Sequence, residues 1–140
     1  LVENLKRAAE VVEPLGISLC LEALNTLVDH AGYFLNSARL GFEVVREVGS
    51  PQVKLLYDVY HMQIMEGNLI ATINEHVGAI GHFHSAGVPG RHELFTGELD
   101  YRNIIKAVDA AGYQGYFGLE YWPTYDQRQS LADTLKYLKK

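Results

Sequence analysis

The chain has a single cysteine, Cys20, and so cannot close a disulfide within itself. A reducing cytoplasm is the compartment we expect for it. Nowhere does an apolar run approach the roughly 20 residues that a membrane span needs, and no charged-then-apolar leader opens the sequence. A membrane partner is therefore not expected. Positive charge is also short: 12 Lys and Arg stand against 17 Asp and Glu, for a net charge of -5. Without a basic stripe interleaved with aromatics, nucleic acid is not an expected partner either. Low-complexity segments are absent. What remains, 140 residues with 48% hydrophobic and 21% charged, is the make-up of one soluble globular domain over residues 1–140.

The informative stretch is Tyr57-Asp58-Val59-Tyr60-His61-Met62-Gln63, where the apolar run Val53 to Tyr57 stops on a carboxylate. The run is too short for a helix and has strand composition, so Asp58 is expected at a C-terminal strand tip, with His61 in the loop beyond it. Three other runs end in the same way. Ile17 to Glu22, Ile80 to His84 and Tyr116 to Glu120 are compact and mostly apolar, and each closes on a carboxylate or an imidazole. Alternation along a strand puts Glu22 on one face with Cys20, Asp58 with Leu56, His84 with His82, and Glu120 with Gly118. Leu19, Leu21, Leu55, Tyr57, Phe83, Phe117 and Leu119 fall on the other face. A bulky face wants a layer of helices, and the ligand-bearing face wants a common centre. Parallel α/β folds place their chemistry at such C-terminal tips.

The intervening sequence supplies the helices. Val2 to Val12 has apolar residues at helical spacing and is closed by Pro14 and Gly16. Asn36-Ser37 can cap a helix carrying Leu40, Val44, Val45 and Val48, which Gly49 ends. Val59 to Gly67 reads as a loop, and Leu69 to Val77 as the next helix. Ser85 to Glu98 has three Gly and a Pro and is a long loop, after which Asp100 caps a helix that stops at Gly112. Leu131, Leu135 and Leu138 mark a closing helix. The unit that repeats is βα.

Two Glu, one Asp and one His at matching tips form a set of three oxygens and one nitrogen. This set suits one hard or borderline divalent cation, Mn²⁺ or Mg²⁺, better than zinc, which more often takes extra His or Cys. Three carboxylates packed together without a cation would repel one another, and one would have to hold a proton. His61 beside Asp58 is a candidate substrate contact. Arg91 in the long loop either grips a substrate anion or pairs with Glu93 or Glu98. Asn25 either forms a local turn or orients Glu22 or a substrate hydroxyl.

Those residues, with Leu21-Glu22-Ala23-Leu24-Asn25, Gly81-His82-Phe83-His84, Thr96-Gly97-Glu98-Leu99-Asp100-Tyr101 and Gly118-Leu119-Glu120-Tyr121, follow one another as in the hydroxypyruvate isomerase family, which the chain resembles over nearly its whole length. That family belongs to the xylose isomerase-like TIM barrels. The resemblance implies that Glu22, Asp58, His84 and Glu120 bind one divalent metal, that Glu22 and Glu120 are also the catalytic acid–base pair, and that His61 and Arg91 contact substrate oxygens. The substrate would be a small hydroxy-carbonyl compound of the hydroxypyruvate/tartronate semialdehyde type. Some family members have Gln where this chain has His84, and His there is the pattern of the ketose 3-epimerases. A ketose 3-epimerase or another sugar isomerase is therefore the first alternative. An endonuclease IV-like repair enzyme or a non-catalytic fragment is the alternative from another class.

A (β/α)₈ barrel takes eight strands and about 250 residues, and this chain offers four strands in 140 residues. The expected fold is α/β, the C-terminal half of a TIM barrel built from four parallel βα units. The start at Leu1, inside a helical pattern, leads us to expect either a missing N-terminal half or a homo-oligomer that pairs the open edges.

Overall fold

The computed structural model describes residues 1–139. Helices and strands alternate through it. Helix α1 (Val2–Val12) precedes β1 (Leu19–Glu22), α2 (Ala38–Val48) precedes β2 (Val53–Asp58), and α3 (Val59–Met65) and α4 (Leu69–His76) follow it. Then come β3 (Ile80–Ser85), α5 (Tyr101–Ala110), β4 (Phe117–Leu119) and α6 (Gln127–Leu138). The strands form one sheet in the order β1-β2-β3-β4, every neighbour parallel. Four βα units of this kind are half of a (β/α)₈ barrel, as the spacing of the strand tips predicts.

Side-chain alternation came out as the sequence suggests. Val53, Leu55, Tyr57 and Phe83 are fully buried beneath the helices, whereas Cys20 is exposed and Leu56 and His82 are half-buried on the other face. Helix α2 lies directly on β2. A Cβ on Gly41 would come within 2.5 Å of Leu55 Cδ1, so glycine is what permits this close approach. Ser37 caps the helix by accepting from the Leu40 N–H at 3.1 Å, and Gly49 ends it in the left-handed region. On the far side α5 starts from Asp100, whose carboxylate accepts from the Arg102 N–H, and buries Tyr101, Ile104 and Val108. The Tyr101 hydroxyl donates to the Ala86 carbonyl at 2.7 Å and accepts from its N–H, which fastens the chain where it leaves β3. In β3, Gly81 is an extra residue opposite the Leu55–Leu56 step, and beyond that bulge Asp58 pairs with His84.

One expectation needs correcting. Residues 59–65, read as loop, are helix α3, because Asp58 is an N-cap as well as a strand tip: its Oδ1 accepts from the N–H groups of Tyr60 and His61. His61 therefore sits in the first turn of a helix. Helix α6 forms where its leucines mark it, and Leu138 packs against the core. Leu131 and Leu135 are exposed, and Ser130 and Thr134 are buried, because hydroxyl partners await them inside.

Candidate metal centre

The four expected ligands converge. One donor atom from each of Glu22, Asp58, His84 and Glu120 lies within 4.8 Å of every other. His84 Nδ1 stands 3.6 Å from Glu22 Oε1 and 3.3 Å from Glu120 Oε2. Parallel pairing explains the convergence, since β1 to β4 are consecutive neighbours and each ends at the same rim. Gly118 makes room for it: a Cβ there would lie 3.0 Å from His84 Cδ2 and 2.9 Å from His82 Nε2.

Asp58 divides its work between its two oxygens. Oδ1 caps α3, and Oδ2 faces the centre, 3.7 Å from His61 Nε2 and 3.8 Å from Arg91 Nη2. Burial pushes its carboxyl up to about 6, against the N–H bonds and the Arg91 charge. Burial and then the nearby Asp58 charge likewise raise Glu22. Arg91 offsets one of the three negative charges, and the set as a whole stays acidic. Glu22 Oε1 and His84 Nδ1 are buried, face each other and have no hydrogen-bond partner among the described residues. A divalent cation ligated by three oxygens and one nitrogen would satisfy both atoms, so these residues fit a metal of the Mg²⁺ or Mn²⁺ type.

Arg91 and His61 border this centre. Arg91 has φ 59, a left-handed conformation, and its carbonyl accepts from the Trp122 N–H at 2.7 Å. Its guanidinium pairs with Glu120 and lies 5.1 Å from the Tyr60 ring centroid. It does not pair with Glu93 or Glu98. Arg91, Glu120, Tyr121 and Trp122 line an open cleft beside the centre. His61 is fully buried, and burial, followed by the Arg91 charge, lowers it to about 4. Asn25 is also fully buried and reaches the centre only through His61. Both ends of its amide are committed to Val28, Asp29 and His61, which leaves none for a substrate hydroxyl.

Three participants were not found from the sequence. Asp29 and Tyr60 join Asn25 behind His61, with the Tyr60 hydroxyl donating to Asp29 Oδ2 at 2.8 Å. Glu93 is fully buried and ties the loop that carries Arg91 to the segment after β4. Its Oε1 accepts from the Thr124 N–H at 2.8 Å and the Ser130 hydroxyl at 2.9 Å, and its Oε2 accepts from the Thr124 hydroxyl at 3.0 Å. Burial alone would raise this carboxyl, but the bonds from Thr124 and Ser130 outweigh it and hold it below the usual range. Its position two residues after Arg91 was the one available signal.

A four-stranded parallel half-barrel with three carboxylates and an imidazole at its C-terminal rim defines a class of α/β proteins with a candidate metal site, and comparison with known proteins gives the family. The chain belongs to the xylose isomerase-like TIM barrel family, whose profile it matches over residues 1–140. It is 40% identical to the 2-oxo-tetronate isomerase of Cupriavidus necator over 87% of this chain and 46% of that protein. To the hydroxypyruvate isomerase of Escherichia coli it is 38% identical over 88% of this chain and 47% of that protein. Among solved structures, one described as an AP endonuclease, family 2, from Brucella melitensis superposes with a TM-score of 0.91 at 37% identity, covering 97% of this chain and 52% of that one. The chain spans about half the length of the curated relatives it matches.

Proposed function

We propose that this chain carries the metal-dependent centre of an intramolecular oxidoreductase that moves a carbonyl between adjacent carbons of a small hydroxy-carbonyl acid, of the hydroxypyruvate/tartronate semialdehyde type. The observation that carries this reading is the placement of Glu22 and Glu120 in one donor cluster, with Arg91 and His61 at its edge. Glu22, Asp58, His84 and Glu120 would hold one Mn²⁺ or Mg²⁺. When bound, such an ion supplies Lewis-acid polarisation of neighbouring oxygens. The proton α to the carbonyl is weakly acidic, so a carboxylate must remove it and one must return it at the former carbonyl carbon, while the hydroxyl proton passes to the former carbonyl oxygen. By the family resemblance these roles fall to Glu22 and Glu120, with the substrate passing between them as an enediolate. Arg91 holds the substrate carboxylate, exchanging its bond to Glu120 for one to the substrate, and His61 contacts a substrate oxygen.

The names of the isomerase relatives support this class. The reducing cytoplasm is the compartment that a lone exposed thiol suits. An endonuclease reading finds no support in the charge: the net balance is -5, and the rim of the centre is acidic. The test is turnover of hydroxypyruvate, 2-oxo-tetronate and neutral ketoses with Mg²⁺ or Mn²⁺ added, followed by solvent deuterium entering the product. Metal-loaded protein that exchanges no deuterium into any of them, or that cuts abasic DNA instead, would reject the proposal.

A further inference from the structure

The hydrogen bonds behind His61 fix where its proton lies. Asn25 Oδ1 accepts from the N–H groups of Val28 at 3.1 Å and Asp29 at 2.9 Å, which identifies the oxygen end of the amide. The other end is therefore the NH₂ group, and it donates to Asp29 Oδ2 at 2.7 Å and to His61 Nδ1 at 2.7 Å. Asp29 is fixed as an acceptor from a second side by the Tyr60 hydroxyl. A second donor also meets His61 Nδ1, the backbone N–H of Asn25 at 3.1 Å. A ring nitrogen that faces two N–H donors must present its lone pair, so the ring's single proton is on Nε2. Nε2 is buried and has no partner among the described residues, and it looks toward Asp58 Oδ2, the oxygen turned to the metal centre.

We propose that Asn25 is a positioning residue that locks His61 as its Nε2–H tautomer, so that His61 meets the substrate as a neutral hydrogen-bond donor and takes no part in moving protons. Division of labour follows. The carboxylates Glu22 and Glu120 carry the proton, while His61 supplies a fixed dipole to the oxygen where negative charge grows. Imidazolium at this position would need a proton on Nδ1, against both Asn25 donors. The role of His61 in turnover rests on the proposed isomerase reading, whereas the tautomer does not.

Two measurements separate these. The first is long-range ¹H–¹⁵N NMR of the histidine rings in the Mg²⁺-loaded protein near neutral pH, with the His61 signals assigned by their loss in His61→Gln. A pyrrole-type Nε2 and a pyridine-type Nδ1 are expected. The opposite pattern, or an averaged one, overturns the tautomer whatever the enzyme turns over. The second compares His61→Gln with His61→Ala on hydroxypyruvate. A glutamine amide can offer an N–H near the place of Nε2–H, so kcat should fall by no more than about tenfold in His61→Gln and by about a hundredfold or more in His61→Ala, the usual scale for one preorganised donor. Equal losses in both variants would show that His61 works as an acid or base and overturn its donor role. In Asn25→Asp, which places an acceptor against Nδ1, the NMR pattern should shift toward a protonated Nδ1; an unchanged ring would show that Asn25 does not set it.

Discussion

Glu93 offers a test of how the rim is held together. Replacing it with alanine strips the Thr124 N–H and the Ser130 and Thr124 hydroxyls of their shared carboxylate. The hydroxyls can turn to other partners, Ser130 to Tyr121, for example, but the N–H cannot. One stranded donor costs about 1–3 kcal/mol, and lost charge-assisted bonds add to this, so Glu93→Ala should lose about 3–5 kcal/mol. At about 3 °C per kcal/mol for a chain of this size, the melting point should fall by roughly 10–15 °C. Glu93→Gln keeps the volume, and its amide can still donate to the Thr124 hydroxyl, so only charge assistance disappears, about 1–2 kcal/mol. Acid separates the two explanations further. The folded-state value of Glu93 is lowered, so its contribution is fully present above the ordinary glutamate range and is lost as pH falls through the folded value. The gap between wild type and Glu93→Gln in urea or calorimetric melts should therefore be steady near neutrality and close on acidification. A Glu93→Ala melt within about 1 kcal/mol of wild type, or a gap that widens in acid, would refute this account of the clamp.

Asp58→Ala should abolish stoichiometric Mg²⁺ or Mn²⁺ binding by titration calorimetry and also shorten α3, since the same carboxylate caps it; tight binding by the variant would exclude Asp58 as a ligand. Glu22→Gln and Glu120→Gln should each lose turnover beyond what their metal occupancy explains, by metal analysis alongside kcat, and full activity in either would remove it from proton transfer. Arg91→Ala should raise KM for hydroxypyruvate far more than for a neutral ketose, and equal effects would show that it grips no anion. Gly118→Ala should weaken metal binding by displacing the His84 ring while the strands stay paired, as shown by calorimetry beside circular dichroism. A protein made of these 140 residues alone should scatter light as a dimer or larger, because β1 and β4 leave two open sheet edges.

The strand tips could be read from the sequence because each apolar run stops on a carboxylate or an imidazole, and a parallel sheet turns that coincidence into a common rim. The side-chain faces followed from alternation alone, and even the Gly81 bulge did not move His82 and His84 from the face expected for them. Helix α3 was hidden because Asp58 serves as strand tip and as cap, and the sequence shows one residue where the structure has two roles. Ile17, at the start of the first apolar run, lies outside β1 and is exposed. The clamp at Glu93 and the network behind His61 were illegible for a different reason. Asn25 does form the local turn the sequence offers, accepting from Val28 and Asp29, but the bonds that join it to His61, Asp29 to Tyr60, and Glu93 to Thr124 and Ser130 span 31 to 37 residues, between segments that only the closed sheet brings together.

The order of the strands has a consequence for how the molecule is made. Each new strand docks beside the one synthesised just before it, so the strands can add in chain order, although every parallel pairing must close over the helix between them and is slow for that reason. The candidate metal centre must wait longer than any one strand pair. Its donors arrive one per strand, and the last, Glu120, leaves the ribosome only after three βα units have had the opportunity to settle. A nascent chain stopped before β4 would hold three donors in place without a centre. Metal capture should therefore appear in one step and mark the docking of β4.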